Sequence, residues 1–255
     1  MIRHRIDGHT AFVTLDNPPA NTFTPESLRE LEKLVASLNE NRTIYAAVIT
    51  GEGSKFFSGG ADLKSFADDK VLARHFIACF GAAFEALMNS RFVTIAAING
   101  YAMGGGLECC LTCDIRIAEE HAQMGLPEPA VGLLPAGSGT QNLPWLVGEG
   151  WAKRMILTNE RVDALTALRI GLVQEVVPRG EGLKAATTLA ERVATLSPRS
   201  VEYCKVLIHN ARNGVPRPAG LALERERFMD LFDHGDQAEG VNAFLGKRKP
   251  EWKND

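Results

Sequence analysis

The sequence predicts an α/β fold whose second half is mostly helical, and three observations carry this prediction. Apolar runs typical of buried strands alternate with amphipathic helical stretches in the first half of the chain. Beyond Gly148 the pattern becomes helical almost throughout, with breaks at Gly171, Pro178, Pro198 and Pro216. The composition, 45% apolar and 23% charged in 255 residues, is that of an ordinary globular protein.

The first elements follow from local signals. Residues 11–15 are a short β-rich run that ends in the turn residues 16–19. Thr24 and Pro25 are typical of a helix start, as N-cap and first helical residue. The helix that they begin carries one apolar stripe at helical spacing, formed by Leu28, Leu31, Leu34, Val35 and Leu38.

The next elements alternate. Residues 46–50 and 94–98 are nearly all apolar, which predicts strands covered on both faces. Residues 71–88 predict a long helix between them. A helix that begins in the glycine run 104–106 carries Glu108, and residues 114–118 return as a strand.

Charge and composition exclude several function classes. A formal charge of −3 and a pI near 6.1 argue against a nucleic-acid surface. The basic segment 247–249 is expected to be solvated, or to meet a phosphate-bearing ligand. No stretch approaches the roughly 18 apolar residues of a membrane span, and residues 1–20 indicate a strand rather than a signal peptide. Five cysteines, an odd number, favour reducing conditions and a cytoplasmic location.

Two glutamates stand in unusual backbone settings. Glu108 follows three glycines that open a helix, where the first amides have no intrahelical acceptor and a ligand can approach closely. Glu128 lies between Pro127 and Pro129, which give it the defined direction that a general acid needs. Each glutamate alone has an ordinary explanation, as a favoured acid in a first helical turn or as an exposed loop acid.

A second small-residue loop, residues 59–63, follows another strand. Together with the glycine run 104–106, it can supply two backbone amides to a single thioester oxygen. Losing one such donor typically lowers a rate by about 10²–10³. The two loops can therefore stabilise an oxyanion next to the two acids.

The remaining motifs have ordinary structural explanations. The loop 135–140 lacks the Gly-Lys-Ser/Thr ending of a P-loop, and Ser138 is not in a Gly-x-Ser-x-Gly elbow. The Cys-x-x-Cys of Cys110 and Cys113 has no further ligands at zinc spacing, so buried helix residues explain it better. The six histidines show no ligand spacing, and no metal site is predicted.

In combination, these segments resemble the enoyl-CoA hydratase/isomerase (crotonase) superfamily. The matching segments are residues 15–21, 57–63, 97–108, 124–128, 139–141, 167–173 and 197–198. They follow one another in register over nearly the whole chain, and their order and spacing together are specific.

The resemblance implies a crotonase-like spiral core of strand-strand-helix turns in residues 1–196, which holds an acyl-CoA site. It implies that residues 197–255 form a helical trimerisation region that covers the active site, so that the chain assembles as a homotrimer or hexamer. The ligand is an acyl-CoA thioester. Coenzyme A is then part of the substrate, and no separate cofactor, nucleic acid or membrane is expected.

The resemblance also implies roles for individual residues. The amides of Ala61 and Gly105 would form the oxyanion hole. Glu108 would orient and deprotonate water for attack at Cβ, and Glu128 would deliver a proton to Cα. The expected substrate and coenzyme A positions are Ala20, Ser58, Gly60, Asp62, Leu63, Tyr101, Gly104, Pro127 and Ala136. Residues 66–90 and the C-terminal helices are expected to shape the acyl pocket.

The leading hypothesis is a 2-enoyl-CoA hydratase. An enoyl-CoA isomerase, a hydroxyacyl-CoA dehydratase and a non-catalytic acyl-CoA-binding or RNA-associated relative are the alternatives. Two positions depart from the family pattern. Ala136 replaces a glycine close to the expected water and is predicted to narrow or tilt that site. Asn142 stands where the family often has an arginine, which removes a cation.

Overall fold

Strands and helices alternate along the chain in the computed structural model, which describes residues 1–254. In chain order the strands are β1 (Ile2–Asp7), β2 (Thr10–Leu15), β3 (Ala46–Gly51), β4 (Phe56–Ser58), β5 (Val93–Ile98), β6 (Tyr101–Met103), β7 (Ile115–Glu119), β8 (Gln123–Gly125), β9 (Val162–Asp163) and β10 (Glu175–Val177). The α-helices are α1 (Pro25–Glu40), α2 (Lys70–Met88), α3 (Gly105–Thr112), α4 (Gly139–Leu157), α5 (Ala164–Arg169), α6 (Gly182–Val193), α7 (Pro198–Arg212), α8 (Arg217–Asp230) and α9 (Gly235–Leu245). Short 3-10 turns occur at Leu63–Ser65, Glu128–Val131 and Leu231–Asp233.

The strands form two sheets. The larger has the order β1-β2-β3-β5-β7-β10 and is parallel except for the β1–β2 pair. The smaller has the order β4-β6-β8-β9 and is parallel except for the β8–β9 pair. Successive strands move from the first sheet to the second, as β3 to β4, β5 to β6 and β7 to β8. This repeated strand-strand arrangement with intervening helices confirms the predicted α/β class.

The strong local signals are confirmed. Every residue of β5 is buried, as its apolar sequence predicts for a strand covered on both faces. The start of α1 is closed by a capping box, in which the Thr24 hydroxyl accepts from the Ser27 amide at 3.2 Å. The predicted stripe of α1 faces the core, with Leu34 half-buried and the other four leucine and valine side chains buried.

Helix α2 corrects one expectation about membrane spans. By length and composition alone it is apolar enough to cross a membrane, so the expectation that no stretch approaches such a span is wrong. In this fold one face of α2 packs in the core. Its Phe80 and Phe84 rings meet Phe23 edge to face, with centroids 5.7 and 5.6 Å apart. Buried aromatic contacts of this kind explain the hydropathy of α2.

Two short strands beyond Gly148 are not predicted by the sequence pattern. Residues 162–163 form β9, which pairs with β8, and residues 175–177 form β10, which pairs with β7. The expectation of an almost wholly helical second half is therefore wrong at these places. Two or three residues are too few for a period-two pattern to stand out from a helical one.

Helix α7 is fastened to the large sheet by a buried lysine. The Lys205 Nζ donates to Asp114 Oδ2 at 2.8 Å, Phe92 O at 2.9 Å and Ser90 Oγ at 3.1 Å. These three acceptors compensate the burial of the charge. Beyond α7, large apolar side chains remain exposed on the last two helices and the turn between them, namely Phe228, Met229, Phe232, Phe244 and Leu245.

Gly106 sets how closely α3 packs on β4. A Cβ atom at this position would lie 2.3 Å from the Ser58 carbonyl oxygen, and backbone cannot move aside as a flexible side chain can. We expect Gly106→Ala to lower the free energy of unfolding by about 2 kcal/mol or more. Gly220→Ala, in an open position of α8, is the control and is expected to be neutral or slightly stabilising. Chemical denaturation of both variants checks this, and equal stabilities would contradict it.

Candidate active site

A cavity of about 270 Å³ lies between α2, the start of α3 and the 3-10 turn Glu128–Val131. Glu108 and Glu128 both line it, together with Ala61 and Gly105 from the two small-residue loops. The fold thus brings the two acids and the two candidate oxyanion residues to one place. All of its lining residues lie between Gly59 and Arg161. The expected contribution of the C-terminal helices to this site stays a prediction.

Glu108 lies in the first turn of α3 and is only 3% exposed. Its Oε1 accepts two backbone hydrogen bonds, from Gly137 N at 2.8 Å and Gly139 N at 2.7 Å. These donors make burial of the carboxylate tolerable. Burial, with a smaller contribution from the nearby Glu128 carboxylate, raises the pKa of Glu108 to about 7, and the two amides oppose the rise. Glu108 can therefore exchange a proton near neutral pH.

Glu128 is the first residue of its 3-10 turn and is half-buried. Its Oε2 is buried and finds no hydrogen-bond partner within residues 1–254. Burial raises the pKa of this carboxyl group as well. Its Oε1 lies 3.0 Å from where a Cβ atom of Gly104 would be, so the glycine keeps the space in front of the acid open. A desolvated acid without a protein partner is suited to proton transfer with a ligand.

Two backbone amides face the same cavity. Gly60 has a φ of +92°, and a Cβ there would lie 3.0 Å from the Gly105 nitrogen, so the loop at residues 59–61 closely approaches the start of α3. The Ala61 nitrogen in turn is 3.7 Å from a Cβ built on Gly105. Across the described chain, neither amide takes part in the hydrogen bonds that tie the neighbouring loops together. Both are available as donors to a ligand oxygen.

The other predicted binding residues fall into two groups. Leu63, Gly104, Pro127 and Ala136 line the cavity, and Ala136 faces it beside Gly137. The remaining five, Ala20, Ser58, Gly60, Asp62 and Tyr101, lie outside this lining.

Most of that second group supports the loop that carries Ala61. The Ala20 carbonyl accepts from Gly59 N at 2.7 Å, and the Ser58 hydroxyl accepts from Gly60 N at 3.1 Å. The Asp62 amide donates to Phe23 O at 2.8 Å. Tyr101 instead packs against Phe56, with ring centroids 5.5 Å apart. The loop that presents the Ala61 amide is thus held by its neighbours.

The sequence missed several features of the cavity. It did not single out Gly137 and Gly139 as partners of Glu108, although the glycine-rich loop 135–140 was a visible signal. The expected contribution of residues 66–90 is made by Phe66, Phe76, Ile77 and Phe80. On the opposite side Val131, Leu133 and Leu134 complete an apolar wall.

The cysteines and histidines form no competing site. Cys110 lies in α3 and Cys113 is its C-cap, and both are free and buried, which confirms that the Cys-x-x-Cys is explained by buried residues of this helix and its end. Among residues 1–254, no group of three or more histidine, cysteine or acidic side chains is placed to hold a metal ion. Of the basic segment 247–249, Arg248 pairs with Glu239 at 2.6 Å.

Comparison with known proteins gives relatives along the whole chain. A short-chain-enoyl-CoA hydratase from Clostridium acetobutylicum is 35% identical over 247 residues, covering 96% of this chain and 94% of its own. The 2,3-dehydroadipyl-CoA hydratase of Escherichia coli is 37% identical over 242 residues, covering 94% of each.

Solved structures agree with these relatives. Pseudomonas aeruginosa DspI matches with a TM-score of 0.96 at 61% identity, covering 99% of this chain and 96% of its own. An enoyl-CoA hydratase from Bacillus anthracis matches with a TM-score of 0.96 at 35% identity, covering 100% and 99%. The family model for enoyl-CoA hydratase/isomerase matches residues 5–255. The chain therefore belongs to the enoyl-CoA hydratase/isomerase family.

Proposed function

We propose that the protein is a 2-enoyl-CoA hydratase, which adds water reversibly and in syn fashion across the double bond of an enoyl thioester. One observation carries the proposal: two carboxylates of raised pKa line a single cavity beside two available backbone amides. Proton transfer next to a stabilised enolate needs these groups together. Coenzyme A enters as part of the substrate, and the reaction needs no further cofactor.

The proposed chemistry follows the placement of charge. The amides of Ala61 and Gly105 hold the thioester oxygen and stabilise the enolate as it forms. Ionised Glu108 orients water and takes one of its protons while the hydroxyl attacks Cβ. Protonated Glu128 delivers its proton to Cα. The net change is one water added to the double bond, and a final exchange of one proton with solvent restores both acids.

The cavity wall supports an apolar acyl group. Phe66, Phe76, Phe80 and the leucines at 133 and 134 line it, and apolar side chains offer no partner to a polar acyl chain. The relatives include a short-chain-enoyl-CoA hydratase and a 2,3-dehydroadipyl-CoA hydratase, whose names specify different acyl groups. Family membership thus leaves the acyl group open, and chain length has to be measured.

Purified protein incubated with a series of 2-enoyl-CoA thioesters tests the proposal. Loss of the conjugated chromophore follows hydration, and the series covers short, medium and aromatic acyl groups. Reaction in ¹⁸O-water is expected to place one labelled oxygen on the product. No hydration of any substrate would overturn the proposal, and conversion without labelled oxygen would indicate an isomerase instead.

We further propose that the chain assembles as a trimer or as a hexamer of two trimers. The exposed apolar side chains on the last two helices support an interface there, because patches of this kind are unfavourable in water. Light scattering coupled to size-exclusion chromatography measures the assembled mass. A stable monomer of 27.7 kDa would contradict this proposal.

A further inference from the structure

The two amides that hold Glu108 depend on an unusual backbone conformation between them. Ser138 lies between Gly137 and Gly139 and has a φ of +96° and a ψ of −1°. The flanking amides converge on the same carboxylate oxygen, at 2.8 and 2.7 Å. For a residue other than glycine, this backbone conformation costs on the order of 1–3 kcal/mol. It persists only where neighbouring groups hold the residue in place.

Asn142 holds this turn from the next turn of α4. Its side chain is 2% exposed, and its Nδ2 donates to Ser138 Oγ at 3.0 Å and to Leu111 O at 3.4 Å. Its own amide donates to Ser138 O at 2.8 Å. Because Leu111 belongs to α3, the same helix as Glu108, one amide group joins the strained loop to the helix that carries the acid.

Asn142 is itself fixed by a cation from a distant part of the chain. The last residue of α7, Arg212, donates through Nη2 to Asn142 Oδ1, and the same nitrogen is 3.8 Å from Met88 Sδ. This contact orients the Asn142 side chain. Because Oδ1 accepts from Arg212, Nδ2 points towards Ser138. A guanidinium, that of Arg212, thus lies against position 142, where the family often has an arginine.

We propose that the Arg212–Asn142–Ser138 linkage is a positioning device for Glu108, which holds the Gly137 and Gly139 amides on its carboxylate. None of the three side chains is proposed to touch substrate. The inference rests on the proposed function only for its kinetic readout, since the contact between the loop and Glu108 can be measured without turnover.

The linkage matters for the protonation of Glu108. Its two amide donors are what opposes the rise in pKa caused by burial. The other charged groups at this corner are Glu128 and Arg161, which line the same cavity, and Glu85 of α2 and Arg212 of α7, which line a second cavity behind Ala136 and Gly137. A loosened loop withdraws these donors while the burial of Glu108 remains, so the carboxylate form of Glu108 becomes harder to keep.

The first test compares Asn142→Leu and Arg212→Met with wild type. We expect kcat to fall about 10- to 100-fold with KM within about threefold, because a small displacement of a catalytic group is costly. The acidic limb of the pH–rate profile should move to higher pH in both variants. Arg212→Lys is expected to recover part of the loss. The matched control is Gln141→Leu, whose exposed side chain bonds only Thr140 within the described chain.

A second test separates positioning from simple loss of stability. Glycine adopts a positive φ without support, so Ser138→Gly added to Asn142→Leu should restore most of the lost kcat. Ser138→Gly alone is the reference against which the double variant is compared. Activity that remains at the level of the single Asn142→Leu variant would overturn the proposal.

The third measurement needs no activity. NMR titration of protein labelled with ¹³C at the glutamate carboxyl, assigned with Glu108→Gln, reports the Glu108 pKa directly. In Asn142→Leu we expect that pKa to rise by about one unit. An unchanged titration would overturn the linkage even if no thioester is hydrated. A shifted titration would support the linkage even if no thioester is hydrated. Failure of the proposed function can therefore be distinguished from failure of the linkage.

Discussion

Replacing Glu128 with glutamine is expected to lower turnover by about 10²–10⁴ while acyl-CoA binding persists. Glutamine has nearly the shape of glutamate but cannot donate a proton to carbon. The structure adds a reason for the size of the effect, because Oε2 of Glu128 has no hydrogen-bond partner in the described chain and is free to act on a ligand.

Steady-state kinetics on the best thioester of the series gives turnover, and calorimetric titration with a saturated acyl-CoA gives binding. Glu120→Gln, at an exposed acid, is the matched control and should behave as wild type. If Glu128→Gln turned over at the wild-type rate, Glu128 would have no part in the mechanism.

Replacing Glu108 with glutamine is expected to have two opposite effects, a loss of turnover of similar size and a gain of stability above neutral pH. Burial raises the pKa of Glu108 from 4.5 to about 7 in the folded chain. The folded state therefore binds a proton more tightly than the unfolded state does. Stability is lost as the pH rises from about 4.5 through 7, and at pH 8 the ionised side chain costs roughly 3 kcal/mol.

Glutamine removes this cost because it stays neutral, while its carbonyl can still accept from Gly137 and Gly139. Urea unfolding of wild type and Glu108→Gln at pH 5 and pH 8 measures the difference. It should be small at pH 5 and close to its full size at pH 8. A variant less stable than wild type at pH 8 would show that Glu108 is not held against its preferred protonation state.

Much of the fold was readable because its signals are local. The strands β3 and β5 are recognisable in the sequence as apolar runs, and Thr24 with Pro25 marks the start of α1. The strands β9 and β10 were missed because they are defined by pairing with β8 and β7, which only the folded chain brings alongside them.

The site divides in the same way. The sequence resemblance indicated Glu108 and Glu128, and the structure places both on one cavity. The partners of Glu108 could not be predicted, because a serine at position 138 does not indicate a backbone φ of +96°. Arg212 is 70 positions from Asn142, and its contact exists only once α7 is anchored against the large sheet. Tertiary packing, rather than local sequence, sets how the acid is held.

The buried cysteines of α3 allow opening of the helix that carries Glu108 to be followed by chemical labelling. Cys109 and Cys110 directly follow Glu108, and burial raises the pKa of both thiols well above the usual range. Because the thiolate is the form that attacks an alkylating reagent, these two groups react only when α3 leaves its packing. Cys204 is exposed and is modified first. Once Cys204 is blocked and Cys79 of α2 is replaced, the rate at which the remaining thiols are labelled measures local opening of the helix that carries Glu108.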